Sequence, residues 1–460
     1  MDTTTSGLAD FASRAEFSDL PAETVHECKR RLIDTLACAV GAYNEPLSHM
    51  ARAVAKRYSA PPGAPAASVW GATWQTTPEA AAFANGAMLR FLDINDLYRV
   101  KGGGHPSDVI AGIVAVAEAV HADGASVVNA VTLAYDVYCS FIETIDINSM
   151  GWDHPVYSAM ASALGAGKLL HLSREQMGNA VSLALAPNMA LWQTRCGELS
   201  SWKGCAAANA SRNAVFAAFL AQDGFTGPTA VIEGEGGLWD IVGRFDWQVF
   251  VGAGAPHRVT RTDMKCFPIC YHAQSAAWAA LDIRARLRVQ DISEIQIETY
   301  RFAVKACGYD PSRWAPTTRE TADHSLPYVV AIALLDGEVT SQSFSGKRLV
   351  DPAVVNLMRK VKVNESAEFT AQHPESSPCK LRIRMSSGDP VVAEVRYQKG
   401  HINNPLDDKE LEAKFRGMFR EYGNESQCEA AIQGLWNIDR ASDIGDLLKL
   451  FVNRSGSLSV

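Results

Sequence analysis

The stretch GCAAANASRNAVFAAFLA, from Gly204 to Ala221, decides the fold. Residues this small let two helices approach closely, so the stretch predicts a tightly packed central helix rather than a linker. Residues 157–170, YSAMASALGAGKLL, have the same character and predict a second. Working outward, residues 1 to about 260 read as helical almost throughout. Ser107 and Asp108 are placed to cap a helix that carries Val109, Ile110, Ile113, Val116 and Ala117 on one apolar stripe. The period then changes. Ile292, Ile295, Ile297 and Thr299 open an alternating pattern. Leu381, Ile383 and Met385 alternate with Arg382, Arg384 and Ser386; Gly388-Asp389-Pro390 breaks the run, and Val391 to Tyr397 resumes it, as in a β-hairpin. Helical stretches lie between them, around 273–287 and 324–336, and the helical pattern returns after Asp407 with Leu411, Phe415, Met418 and Phe419. The predicted fold is mainly α with an α+β insert. Residues 1–264 and 401–460 build one helical domain, and residues 265–400 form a smaller α+β lid.

Composition bounds the function classes. A chain of 460 residues is long for a single core, and 47% apolar with 20% charged residues is ordinary for a globular protein. The formal net charge of −8 argues against a nucleic-acid partner. The start, Met-Asp-Thr-Thr-Thr, lacks the basic and apolar regions of a signal peptide. The longest uncharged stretch, Met177 to Thr194, is interrupted by Asn179, Pro187, Asn188 and Gln193, which fits a buried helix and a loop better than a membrane span. The ten cysteines show no framework spacing. Cys266 and Cys270 have no second pair nearby, so neither zinc nor disulfides are expected, and reduced thiols point to the cytoplasm.

Four segments put polar residues where composition predicts packing. Asp93-Ile94-Asn95-Asp96 leads to Gly102-Gly103-Gly104-His105-Pro106-Ser107: two carboxylates, a glycine-rich loop, a histidine and a helix start that would favour an anion. A turn with a capping histidine is the plain alternative. Gly151-Trp152-Asp153-His154-Pro155 precedes the first small-residue helix, and a histidine beside proline is commonly structural. Glu198 to Gly204 opens the second. Lys203, between Trp202 and Gly204, either points into a cleft toward a carboxylate or lies on the surface. In the insert, Lys265-Cys266-Phe267-Pro268 leads to His272-Ala273-Gln274, and Asp323-His324-Ser325-Leu326-Pro327-Tyr328 opens an apolar helix. His324 and Tyr328 are four apart, on one helical face if both are helical, and either group could protonate a leaving hydroxyl. Capping by Ser325 and core packing by Tyr328 is the alternative. No nucleotide-binding, nucleophile-elbow or zinc-protease motif stands in its required context.

Taken together the segments resemble the MmgE/PrpD family over nearly the whole chain. The resemblance rests on Arg31-Leu-Ile-Asp-Thr-Leu-Ala-Cys-Ala-Val-Gly41, Asp93 with His105-Pro106-Ser107, Gly151 to Pro155, the lysine segment, the Phe267-Pro268…His272-Ala273-Gln274 segment and Glu320 to Tyr328, which fall in the family's order. It implies a helical domain with an α+β lid, a homodimer, and no metal or organic cofactor. It also implies a 2-methylcitrate dehydratase-like lyase acting on a small polycarboxylate, with cis-aconitate decarboxylase and iminodisuccinate epimerase chemistry as alternatives. Carried over as catalytic residues are His105, His154, Lys203 and Tyr328; as substrate-binding residues, Asp93, Gly104, Lys265, His272 and Gln274. Elimination of water needs a base at carbon, an acid at the departing oxygen, and cations for the carboxylates. His105 and His154 are the expected acid/base pair and Tyr328 a donor from the lid, while Lys203, the amides after Gly104 and, more weakly, Arg195 supply positive charge. Departures are the extra residue Asp153, Leu97 where relatives carry a polar residue, and the glycine-rich run Arg99 to Gly104. The competing class is a binding or scaffold protein of the same fold. Its side chains need not converge.

Overall fold

The computed structural model describes residues 1–100, 102–249, 251 and 255–453. Lys101, within the glycine-rich run, lies outside the described residues. Helices dominate: α1 (Ala22–Gly41), α2 (Pro78–Phe91), α3 (Ile110–Ala119), α4 (Gly124–Thr144), α5 (Pro155–Leu169), α6 (Arg174–Leu185) and α7 (Trp202–Gln222) before the insert. α8 (Tyr271–Arg284) and α9 (Leu326–Asp336) lie within it, and α10 (Asp408–Phe419) follows it. The two small-residue stretches are α5 and α7. They pack on each other, and α7 also packs on α2 and α6. The approach is close enough that a Cβ added at Gly86 of α2 would sit 2.8 Å from the Ala208 Cβ of α7. These small faces are thus packed inside the domain. α4 is long and apolar enough to cross a membrane, but most of it is buried against its neighbours, and its Asp136 is held by His257.

The first half is less uniformly helical than its sequence suggests. Short strand pairs join Ala67–Ser68 to Gln75–Thr76 and Tyr98–Arg99 to Gly103–Gly104. Ser107 and Asp108 do not cap α3. They lie in a 3₁₀ turn, Pro106–Val109, where Ser107 N–H donates to Asp96 (3.1 Å) and Asp108 pairs with Arg90 (3.1 Å).

The insert carries a mixed sheet of β1 (Ile292–Thr299), β2 (Val361–Glu365), β3 (Cys379–Met385) and β4 (Val391–Val395), in the order β2-β1-β3-β4. β1 runs parallel to β2 and antiparallel to β3, with Ile295 opposite both Val361 and Ile383. Ile295, Ile297, Leu381 and Ile383 face inward while Arg382 and Arg384 face water, as the alternation requires. A register shift between Ile292 and Glu294 brings Ile292 to the same buried face despite its odd spacing. Two apolar cores result. One gathers residues from Leu8 to Met264 and again from Leu406 to Phe451; the other runs from Ile269 to Ala393. Lys265 stands at the crossing between them.

Candidate active site

The site is built around one carboxylate. α2 ends at Phe91, and Asp93 follows in the left-handed region at φ +50°, where its N–H donates to the Arg90 carbonyl (3.1 Å). Helices commonly close on glycine there. Aspartate tolerates the conformation better than most residues. Asp93 Oδ1 receives Arg90 Nη1 (2.9 Å) and Lys265 Nζ (3.0 Å), and Oδ2 receives Lys203 Nζ (3.0 Å). His105 Nε2 stands 4.0 Å from Oδ1, and His324 Nε2 3.9 Å from Oδ2. Burial alone would raise this carboxyl, but Lys203, Lys265, Arg90 and His324 hold it well below the usual range. A carboxylate so placed repels a substrate carboxylate. Asp93 therefore arrays the cations rather than binding an anion itself.

The loop after it sets two imidazoles. His105 Nδ1 lies 2.6 Å from the Asp96 carbonyl, which only accepts, so Nδ1 carries the proton and Nε2 is a bare lone pair. Asp96 does no more than hold the loop, accepting from Ser107 N–H and from Tyr135 (2.9 Å). Gly104 is required because a Cβ there would collide with the Tyr138 hydroxyl. The amides that follow are already used: His105 N–H donates to Tyr138 (3.0 Å), Ser107 N–H to Asp96 and Asp108 N–H to the His105 carbonyl (3.0 Å). They supply no anion hole. His154 lies edge-on to His105 with ring centroids 5.4 Å apart. Its Nε2 accepts from Arg195 Nη2 (2.6 Å), so the proton of the neutral ring is on Nδ1, 3.0 Å from the Tyr138 oxygen and 3.7 Å from Asp108. Asp153 accepts from Arg195 Nε (2.9 Å), Thr194 Oγ1 (3.0 Å) and His154 N–H (2.9 Å).

The N-terminal domain model of the MmgE/PrpD family matches residues 6–248, and its C-terminal domain model matches residues 267–438. The chain belongs to the MmgE/PrpD family. It is similar to the 2-methylcitrate dehydratase of Escherichia coli (strain K12), at 28% identity over 87% of this chain and 86% of that protein. It is similar also to the mitochondrial 2-methylcitrate dehydratase of Yarrowia lipolytica, at 27% over 98% and 91%. The cis-aconitate decarboxylase of Aspergillus terreus matches at 23%, over 97% of this chain and 95% of that protein.

The MmgE/PrpD lid contributes a histidine where tyrosine is expected. Tyr328 does not reach the cluster: its hydroxyl donates to the Ser343 carbonyl (2.7 Å), and its ring packs on Phe344 inside the lid core. The reason is local. α9 begins at Leu326 with Ser325 as its cap, so His324 precedes the helix and the two side chains do not share a helical face. His324 turns to Asp93 instead, with its Nδ1 bonded to Asp323. His272 bonds Tyr300 (2.5 Å) in an aromatic group with Phe302 and His373, and Gln274 ties the turn at Phe267 and Ile269. Neither contacts Asp93. Of the expected residues, Asp93, His105, His154, Lys203 and Lys265 converge, whereas Tyr328, His272 and Gln274 shape the lid.

Sequence reasoning missed Arg90 and Asp108 and ranked His324 and Arg195 too low. The signal for Arg90 was present: a charge in a helix of alanine and leucine must be paired when buried. The electrostatics divide the imidazoles. Burial, then Arg90 and Lys265, hold His105 well below its ordinary 6.5. Burial takes His154 down to about 3, against the pull of Asp153 and with that of Arg195. His324 is raised: burial and Lys203 oppose its charging, and Cys270 and Asp323 outweigh them. Burial lifts the Asp108 carboxyl to about 7, although Arg90 opposes it. Asp93, Asp323 and His324 offer ligand atoms within 4.8 Å of one another. A metal ion does not fit there, because both Asp93 oxygens already carry an ammonium at 3.0 Å and a guanidinium lies beside them.

Proposed function

We propose that the protein is a lyase that dehydrates a citrate-like polycarboxylate with side chains alone, needing neither metal nor organic cofactor. The observation that most supports this reading is the bare His105 Nε2 at one oxygen of Asp93, with the Asp323-bound His324 at the other and two lysine ammoniums between them. In this reading His105 takes the proton from the carbon beside a carboxylate. The electron pair forms the double bond, the carbon–oxygen bond breaks, and His324 protonates the departing hydroxyl as water. Lys203 and Lys265 offset the charge that develops on the enolate-like carboxylate. Solvent then returns both imidazoles to their starting states. A scaffold protein would have no reason to keep a depressed and a raised imidazole at one carboxylate.

Decarboxylation passes through the same kind of carbanion, and the likeness to the cis-aconitate decarboxylases makes it the second reading. The test is to incubate the purified protein with citrate, 2-methylcitrate, cis-aconitate and iminodisuccinate. New double-bond absorbance from a hydroxy acid supports dehydration. Carbon dioxide from cis-aconitate moves the assignment to decarboxylation, epimerised iminodisuccinate to the third family chemistry, and no turnover of any acid overturns the lyase reading. A homodimer and a cytoplasmic setting belong to the same proposal. The first rests on family resemblance and the second on ten unbridged thiols.

A further inference from the structure

We propose that Arg195 selects for a carboxylated substrate and keeps His154 out of proton transfer until a substrate carboxylate draws it away, an inference that rests on the lyase reading above. A guanidinium stays charged and only donates. Its Nη2 donates to His154 Nε2 at 2.6 Å, so the lone pair that a base would use is already taken. The other cations of the site, Arg90, Lys203 and Lys265, are committed to carboxylates in the interior, with side chains 1%, 4% and 1% exposed. Arg195 is 14% exposed and stands on the solvent side, on the short helical turn Trp192–Arg195. That turn follows Met189 and Leu191, both exposed. Among the described residues its Nη1 makes no hydrogen bond, while Asp153 Oδ2 holds its Nε at 2.9 Å.

That contact is a pivot. An arriving carboxylate can take both terminal nitrogens as a bidentate pair, and a charged acceptor outcompetes a neutral imidazole. His154 Nε2 is then released beside the substrate. The groups that face His154 from its surroundings are Asp153 (3.9 Å), Asp108 (3.7 Å), the Tyr138 hydroxyl (3.0 Å) and the His105 ring, with Arg90 and Lys203 acting at longer range. Asp153 favours the charged imidazole, and burial, Arg195, Arg90 and Lys203 oppose it. Removing Arg195 deletes one opposing charge.

The probe is propane-1,2,3-tricarboxylate, which carries the carboxylates but no hydroxyl to eliminate. Calorimetry measures its binding to the full chain, and the ring resonance of His154, assigned from its loss in His154→Asn, is followed by NMR on histidine-labelled protein. Wild type should bind the probe with a shift of the His154 resonance. Arg195→Met should bind it roughly ten- to a hundredfold more weakly, the scale of one charged hydrogen bond. Its His154 resonance should move before any probe is added. Arg195→Lys should recover part of the binding, keeping charge without the fork. Arg195→Gln serves if circular dichroism shows the methionine variant unfolded. Equal binding by wild type and variant, or a His154 resonance unmoved at saturation, overturns the role of Arg195 while the polycarboxylate site stands. No binding by wild type overturns the lyase reading beneath it.

Discussion

Two substitutions in the lid, His324→Gln and Tyr328→Phe, separate the proton donor from a residue that only packs. Tyr328 is four positions after His324, and both stand in the segment with the strongest family resemblance. The structure assigns them opposite consequences. The Tyr328 hydroxyl is fully buried and donates to the Ser343 carbonyl at 2.7 Å. Its removal leaves a buried acceptor unsatisfied, a loss of about 1–3 kcal/mol of stability, with little change in turnover. His324 Nε2 lies 3.9 Å from Asp93, inside the cation array, and Asp323 holds its other nitrogen. Glutamine keeps a polar side chain there but cannot deliver a proton, so kcat should fall by about 10²–10⁴. At 1.36 kcal/mol per decade, that is about 3–5 kcal/mol in the barrier. The assay is steady-state kinetics on the acid that turns over best, with urea unfolding of each variant. A hundredfold loss of kcat in Tyr328→Phe, beside near-wild-type turnover in His324→Gln, would refute the assignment.

Four further outcomes are expected. In the pH profile of kcat/KM, activity is lost as pH falls through the value of the base and as it rises through that of the acid. His105 is held well below 6.5 and His324 above it, so the profile should be flat across 6.5, and an acid limb centred there would exclude His105 as base. Lys203→Met leaves Arg90 and Lys265 on Asp93, so the protein should fold, and kcat should fall about tenfold or more because the developing carboxylate charge loses an ammonium; an unchanged kcat removes Lys203 from that role. Activity should survive exhaustive EDTA treatment, because two ammoniums occupy the carboxylate a metal would need; loss restored by a divalent ion would show otherwise. Light scattering at micromolar concentration should give twice the 49.7 kDa of one chain. A single-chain mass would argue against the homodimer.

Periodicity is a local property, and it carried most of the fold. The small-residue runs became α5 and α7, and the alternation at Ile295, Ile297, Leu381 and Ile383 became one sheet face. Local spacing also misled. Four residues separate His324 from Tyr328, but the helix starts between them, so one faces Asp93 and the other the lid core. Ser107 and Asp108 carry capping side chains, but Asn95 donates to the Ser107 hydroxyl and Arg90 pairs with Asp108, and both partners come from before the glycine loop.

The sequence by itself determined which residue types were available and which helix starts and loops would present Asp93, His105, His154, Lys203 and Lys265. Only the tertiary structure decided which of these meet, which way burial and charge move the two histidines, and that Arg90, Asp108 and His324 belong among them. A hydrogen bond acts over about 3 Å, whereas these partners lie up to 231 positions apart along the chain (324 − 93). Burial and the sum of neighbouring charges set whether an imidazole is bare or charged, and both quantities exist only once these distant segments are packed around the same carboxylate.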